Sequence, residues 1–465
     1  MNKYTILLSN TAIFAIGNIL VKLISFLLMP LYTSTLTVDQ YGVAELLNSG
    51  IEIVLPIGTL CIVDALYRFS IDEDANHKEI FANTIRIILI GDFVVFLFCV
   101  VWRCFFHYQY AYSFFMLYFA TTLYKFTIQF ARGLGHSRRY ALYGVINALM
   151  LVASNIILLI IYHGGVDEYL ASFTIAYGLT GIFAFFLSKE YEYFSLHSNI
   201  KTMNEMLRYS IANIPNMLSW WINNISARYI IMIFWGANLA GMFTAASKLP
   251  AMINLIASIF QQAWQYSTAK EIGKRNSYQF FNKVFEIYSL ICLITCALLI
   301  IANKIICKIL LQAEFYSAWK FVPLLLMGAT IGCFSTFLGT FYNAIKNNTI
   351  LMLSTVIGAG INILFSFILI PMYGGIGAAV ANVIGYSVIT IIRAIDISKR
   401  IGLRIMYCKF LVQFFGLSLI VYSSSVELSK LNILLSIIGL LFIVLLEIKT
   451  INNTINILKT RIFNT

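Results

Sequence analysis

Apolar runs of about 20 residues, each long enough to cross the hydrocarbon of a bilayer as a helix, recur along this chain between short polar stretches. Backbone groups in lipid must be satisfied within the chain itself, which leaves only helices or a closed barrel. Barrel strands would be about ten residues long and alternate in polarity, and these runs do neither. Hydrophobic residues make up 60% of the 465 and charged residues only 11%, against about a quarter in a soluble domain, so the main solvent is lipid.

The pattern predicts an all-α polytopic membrane protein with about fourteen helices, at 6–31, 43–67, 80–101, 109–131, 140–162, 168–188, 208–234, 240–264, 279–302, 320–342, 349–371, 375–396, 405–424 and 430–448. The first run, Ile6 to Leu31, exceeds the apolar core of a signal peptide, about 7 to 15 residues, and lacks a small-x-small cleavage site, so it reads as a retained helix. Loops on one side are tiny: Thr33 to Tyr41, Gly164 to Glu168, Gly236 to Ala240 and Tyr373 to Gly374. None is large enough to hold a soluble active site.

Lys and Arg number 32 against 20 Asp and Glu, a net charge of +12 that in a soluble chain would suggest nucleic acid. Placement along the chain gives it another meaning, and no nucleic-acid partner is expected. Arg68, Lys78, Arg132, Arg138, Arg139, Lys189, Lys201, Lys270, Lys274, Arg275, Lys346, Lys399, Arg400, Arg404, Lys449, Lys459 and Arg461 fall on one side of the predicted topology. The opposite loops hold Arg103, Lys304, Lys308, Lys320 and Lys430. The positive-inside rule then puts both termini in the cytoplasm. The eight Cys lie mostly in or beside apolar runs and form no CxxC pair, so they read as packing residues rather than metal ligands.

Two internal echoes suggest a repeat. Helix one, its short loop and Tyr41-Gly42 resemble helix seven, its short loop and Ala240-Gly241. His163-Gly164-Gly165-Val166 before helix six resembles Tyr373-Gly374-Gly375-Ile376 before helix twelve. An even number of helices separates the copies, so both halves point the same way, as in transporters with parallel repeats and a substrate site near the midplane. The expected organisation is two pseudo-symmetric six-helix lobes, 1–200 and 201–400, with two additional helices and a cytoplasmic tail over 401–465.

Ionisable residues near the bilayer centre are costly and usually face a cavity. Lys22 in helix one, Arg228 in helix seven and Lys248 in helix eight lie deep, on helices that repeat symmetry would line along a cleft. Arg supplies a bidentate fork and Lys a point charge, so such a cleft suits a multiply charged anion such as a diphosphate. Glu52, Asp64, Asp92 and Lys125 are further candidates, either as ion-pair partners or, for the carboxylates, as carriers of a coupling proton or sodium ion. Arg86, Lys125, Glu286 and Glu45 lie nearer helix ends, where a long side chain snorkels to water. Aromatic residues are abundant and mostly expected in interfacial belts or lipid-facing packing, the pair Phe260 and Trp264 among them. Trp220, Trp221 and Asn224, after Pro215, form a candidate sugar-facing wall.

Several stretches resemble the O-antigen flippases, polysaccharide transporters of the multidrug/oligosaccharidyl-lipid/polysaccharide exporter superfamily. They are Gly17-Asn18 with Lys22, Phe26, Pro30, Tyr32 and Tyr41-Gly42; Arg132-Gly133-Leu134-Gly135; Tyr209, Pro215, Ser219-Trp220-Trp221, Arg228-Tyr229, Gly241, Ala246 and Lys248; and Gly374-Gly375-Ile376-Gly377-Ala378-Ala379. The resemblance implies a two-lobed bundle working by alternating access, not an enzyme. Its cargo would be an undecaprenyl-diphosphate-linked oligosaccharide, the O-antigen repeat unit, moved from the cytoplasmic to the periplasmic leaflet of a bacterial inner membrane. A polymerase and a chain-length regulator of the same pathway would be partners, and the only coupling agent a proton or sodium gradient. Relatives often carry an acidic residue just before the helix-seven arginine; here it is Ala227, which removes an ion pair expected there.

Other readings compete. Asp72-Glu73-Asp74 matches the DxD of glycosyltransferases, but it sits in a hairpin loop with no nucleotide fold around it and reads as a solvated acidic loop. A polysaccharide polymerase typically has a large periplasmic loop, which this topology does not provide. Drug exporters of the superfamily usually have about twelve helices and acidic cavities. Peptidoglycan-precursor flippases share both the helix number and a cationic cavity, and they are the main alternative.

Overall fold

The computed structural model describes residues 24, 26–72, 74–195, 199–272, 277–345, 349–404, 406–425 and 430–446. Among them every regular element is helical. In order these are α1 (Met29–Thr35), α2 (Val38–Gly58), α3 (Ile62–Ser70), α4 (His77–Phe106), α5 (Ala111–Gly133), α6 (Ser137–Asn155), α7 (Val166–Leu187) and α8 (Ile200–Ile211). Then come α9 (Ile214–Ala246), α10 (Ala251–Glu271), α11 (Ser277–Ile301), α12 (Asn303–Leu310), α13 (Val322–Ala344), α14 (Thr349–Ile401), α15 (Tyr407–Ser425) and α16 (Lys430–Leu445). A π-helical turn, Ile156–Ile161, prolongs α6, and short 3₁₀ segments cover Glu190–Tyr193 and Ala313–Lys320.

Local chemistry sets many of the boundaries. Thr37 and Gln40 form a reciprocal capping box at the start of α2, with Gln40 N–H donating to Thr37 Oγ1 at 3.2 Å and Thr37 N–H to Gln40 Oε1 at 3.0 Å. Glu168 reaches back to the Gly165 N–H at 2.6 Å to start α7. Asn76 caps α4 and Asn199 caps α8.

Seven helices among the described residues are long and apolar enough to cross a membrane, and the bent pair α2 and α3 makes an eighth. The expected number was larger, and one reason is that helices run on through breaks. α14 has 53 residues, about 80 Å if straight, more than twice the hydrocarbon thickness. It breaks at Gly374, where φ of 56° and ψ of −130° divide it into the two predicted spans. α9 breaks likewise at Gly236, with φ of 81°. Glycine has no Cβ and takes this left-handed backbone freely. α15 and α16 have shorter apolar cores, Cys408–Ser424 and Leu434–Leu445.

The chain divides into two compact units, Met1–Ile225 and Ser226–Thr465, the boundary falling inside α9. In the N-terminal unit α5 is central, packed most extensively on α7 and also on α2, α3, α4 and α6. In the C-terminal unit α13 is central, packed on α14, α10, α11 and α15.

Small residues bring helices close. On α13, Gly328, Gly332 and Gly339 leave room for Asn382, Tyr386 and Arg393 of α14. Gly416 and Gly439 face one another across the α15–α16 hairpin; a Cβ on either would meet the other's carbonyl oxygen, at 2.8 and 2.5 Å. The Phe260–Trp264 pair departs from expectation. Trp264 is buried, stacked on Phe337 at 4.6 Å, and Phe260 stacks on Tyr288 at 4.6 Å. These rings form the core of the C-terminal unit because α10, α11 and α13 each turn an aromatic face inward.

Arg393 is 6% exposed and fully engaged. Its Nε donates to Ser354 Oγ at 3.0 Å, Nη1 to the Ser335 carbonyl at 2.9 Å and to Ser335 Oγ at 3.0 Å, and Nη2 to Thr355 Oγ1 at 2.8 Å and the Leu351 carbonyl at 3.2 Å. One planar guanidinium thus ties α13 to both arms of α14. Arg393→Ala is expected to lower the unfolding temperature in detergent, at a loss of roughly 3 kcal/mol or more, because it strands several buried acceptors. Arg393→Lys, which keeps the charge but not the fork, should recover less than half of it in the same melting assay.

Candidate functional site

The N-terminal unit gathers its intramembrane charges around a bent span. Pro56 near the end of α2 supplies no N–H to the ladder, and helix geometry lapses at Thr59 to Cys61. Leu60 and Cys61 have φ of 50° and 54°, in the left-handed region where a side chain is strained. Local bonds hold the bend: Thr59 Oγ1 donates to the Leu55 carbonyl at 2.7 Å and Cys61 N–H to the Pro56 carbonyl at 3.1 Å. α3 then departs at 65°. Irregular backbone at membrane depth is tolerated where protein or a wet cavity covers it.

Three predicted residues meet here. Asp64 stands in the first turn of α3, where the helix N-terminus favours negative charge. Lys125, on α5, lies eight residues before its end at Gly133, about 12 Å in from that terminus. It interacts electrostatically with Glu52 of α2, with Asp64 and with Cys61. Glu52 also acts on Tyr177 of α7. Lys125 and Glu52 are exposed and Asp64 half-buried, so the cluster lines an accessible surface rather than the packed core.

Asp92 stands apart from this cluster. It is buried on α4, where its carboxylate interacts with the Tyr118 hydroxyl of α5. Glu45 corrects the snorkelling expectation: it is 3% exposed and accepts a 2.6 Å hydrogen bond from the Tyr169 hydroxyl of α7. Tyr32, Tyr41 and Tyr169 pack ring on ring around it. A desolvated carboxylate with a phenol partner costs less than one alone, so the helices close over it.

Among the basic candidates, Lys22 lies outside the described residues. Arg228 is half-buried on α9, beside Tyr229. Lys248 is half-buried in the irregular turn 247–250 between α9 and α10, rather than within a helix as expected. Pro250 follows it, and Lys248 N–H donates to the Ala245 carbonyl at 3.2 Å. Of the aromatic wall, Trp221 donates its indole N–H to the Ser49 carbonyl of α2 at 3.2 Å, while the side chains of Trp220 and Asn224 lie outside the described residues. Asp72 of the acidic loop is exposed and pairs with Arg68 at 2.6 Å.

Sequence reasoning did not single out Arg393 or Glu190. Arg393 sits close to Lys399 and Arg400 and looks interfacial; Glu190 follows α7 in a loop that reads as solvated. The Arg132-Gly133-Leu134-Gly135 stretch proves to be the α5–α6 turn, with Gly135 at φ of 82° and the Arg132 guanidinium over the rings of Tyr67 and Tyr140, at 4.2 and 5.3 Å. Among the described residues no group of His, Cys, Asp and Glu has the geometry to hold a metal ion.

This arrangement, irregular helices carrying charge at membrane depth in each of two units, defines a polytopic membrane protein. Residues 7–265, more than half of the chain, match the family described as polysaccharide biosynthesis protein. The chain therefore belongs to that family.

Solved structures share its fold. The lipid II flippase MurJ in an inward-closed conformation superposes with a TM-score of 0.70 at 14% identity, over 95% of this chain and 99% of that one. A multidrug resistance MATE family transporter of the MOP superfamily, inward-facing, gives 0.62 at 15% identity over 78% and 93% of the two chains. A MOP superfamily transporter from Pyrococcus furiosus, described as having a binding pocket of reverse polarity, gives 0.59 at 15% identity over 84% and 94%. An uncharacterized membrane protein of Methanocaldococcus jannaschii is 30% identical over 132 residues, so the chain spans about a quarter of the curated relative it matches, 26% of its length.

Two measurements probe the charges. A double-mutant cycle between Lys125→Met and Glu52→Gln, read from unfolding free energies in detergent, should give a coupling of about 0.5–3 kcal/mol. Additive effects would mean that the two groups do not share a field. Glu190 is buried outside the membrane spans with neither carboxylate oxygen hydrogen-bonded, and burial pushes its carboxyl up to about 9 from the ordinary 4.5. The folded chain then keeps a proton that the unfolded chain releases, so stability falls as pH rises from 4.5 to about 9. Glu190→Gln should match the parent's melting temperature near pH 4.5 and exceed it increasingly as pH rises to about 9, with the gap constant above that.

Proposed function

We propose that this protein is a flippase that carries an undecaprenyl-diphosphate-linked oligosaccharide, the O-antigen repeat unit, from the cytoplasmic to the periplasmic leaflet of a bacterial inner membrane by alternating access. The observation that carries the reading is the polysaccharide biosynthesis family match on a chain with a transporter fold. Transport rather than catalysis is the work such a fold performs when its charges sit on broken helices at membrane depth.

In this reading Lys22, Arg228 and Lys248 receive the diphosphate. Arg228 offers a planar fork and Lys248, released from helical geometry by the 247–250 turn, a point charge on a flexible stem. Glu52, Asp64 and Lys125 serve coupling: a proton or sodium ion that occupies the carboxylates alters their hold on Lys125 and so biases one conformation over another. Trp220, Trp221 and Asn224 serve the glycan. Both termini are cytoplasmic, from the positive charge at the α5–α6 and α7–α8 connections. Six helices from each half form the moving lobes, and a polymerase and chain-length regulator act downstream.

A second reading, flipping of a peptidoglycan precursor, is favoured by the superposition on the lipid II flippase over nearly the full length of both chains. Complementation separates the two. The chain should restore surface polysaccharide to a strain lacking its O-antigen flippase and should not rescue loss of the lipid II flippase; the reverse outcome selects the second reading. Lys22→Gln, Arg228→Gln and Lys248→Gln are each expected to reduce surface polysaccharide about tenfold or more, the effect of losing roughly 1.4 kcal/mol, at unchanged membrane levels. Full activity in all three would remove the diphosphate site.

A further inference from the structure

An open groove of about 610 Å³ runs along the side of the N-terminal unit, within the about 300–1,000 Å³ of ligand sites. α2 and its bend form one wall, α4 the other, and Met203 and Leu207 of α8 close one end. Every lining residue is aliphatic, aromatic, methionine or glycine. The floor is a helix contact made by two glycines: a Cβ on Gly91 would strike the Gly58 carbonyl. The two glycines let α2 and α4 meet backbone to backbone beneath the groove.

Its outer wall is a ridge on α4. Ile90, Val94 and Phe98 are spaced four apart, so they lie on one helix face, and all three are exposed. From Ile87 to Phe98 the lining covers about 16 Å of helix, close to the half-thickness of a bilayer core of about 30 Å. One turn before Ile90 on the same face stands Arg86, which is exposed. Nearby α8 is amphipathic, with Met203 and Leu207 on the groove side and Lys201 and Arg208 exposed. The groove is therefore apolar over about 16 Å, and around its mouth Lys78, Arg86, Lys201 and Arg208 outnumber Glu79 and Glu205.

We propose that this groove holds the isoprenyl chain of a polyprenyl-diphosphate lipid, with its phosphate at Arg86 before Lys22, Arg228 and Lys248 receive it. The proposal rests on the flippase reading for the identity of the lipid. Charge complementarity at the mouth selects an anionic lipid over a zwitterionic one. Holding the chain here tethers the tail among apolar side chains while the polar head moves, so the protein does not have to carry the whole lipid through its interior.

The test uses the full-length protein in phosphatidylcholine nanodiscs containing undecaprenyl phosphate as a minor component. p-Benzoylphenylalanine is placed at Val94, in the groove, or at Ile182, exposed on α7 and away from it. Photolysis and mass spectrometry should find the isoprenyl adduct at Val94 enriched about tenfold over Ile182, with excess pyrophosphate and Arg86→Gln each reducing it. Equal proportions of phosphatidylcholine and isoprenyl adducts at both positions would make the groove ordinary lipid-facing surface and overturn the proposal. Groove labelling without complementation would count against flipping and not against the groove; complementation without labelling would do the opposite.

Discussion

A charge inside hydrocarbon has to be met by another charge, by hydrogen bonds or by water, and much of this molecule's irregularity follows from that requirement. Lys125 stands well inside α5, and the chain answers by breaking the neighbouring span so that Asp64 arrives at a helix start beside it while Glu52 stays on the other arm. Arg393 is answered differently. Five hydrogen bonds from α13 and α14 surround it, and Gly339 supplies the space. The first solution leaves an accessible cluster; the second is a fixed brace.

The two units reach similar architectures by similar means. Each has a central helix, α5 or α13, and each has a sharp left-handed turn before its sixth span, at His163 in one and Gly374 in the other. A TM-score of 0.70 at only 14% identity is consistent with this economy of specification. Span length, the position of a few breaks and small residues at crossings determine such a fold, and many side-chain combinations meet those conditions.

Much of this was legible in the amino-acid sequence. Apolar runs fixed the helices because lipid permits little else, and Gly236 and Gly374 marked breaks where the runs exceeded a bilayer. Glu52, Asp64 and Lys125 were recognisable singly as intramembrane charges, but not as one cluster, since their approach depends on a bend made by Leu60 and Cys61, residues with no turn propensity. The Glu45–Tyr169 bond joins positions 124 residues apart, and a carboxylate near a helix start looks solvated until its partner is placed. Arg393 was hidden by its basic neighbours, and the Phe260–Trp264 stack by the resemblance between an aromatic core and an aromatic belt. Tertiary contact, rather than pattern, decided each of these.

The bend after Gly58 carries a mechanical consequence. An intact helix resists pivoting because each rotation strains several hydrogen bonds at once, whereas at Thr59 to Cys61 that resistance has already been surrendered to local caps. α3 is nine residues long, a lever of about 13 Å hinged at one end. A swing of that lever displaces Asp64, near the pivot, only slightly, and Arg68, farther out, by more. A small displacement near the fulcrum is thereby geared to larger travel at the rim.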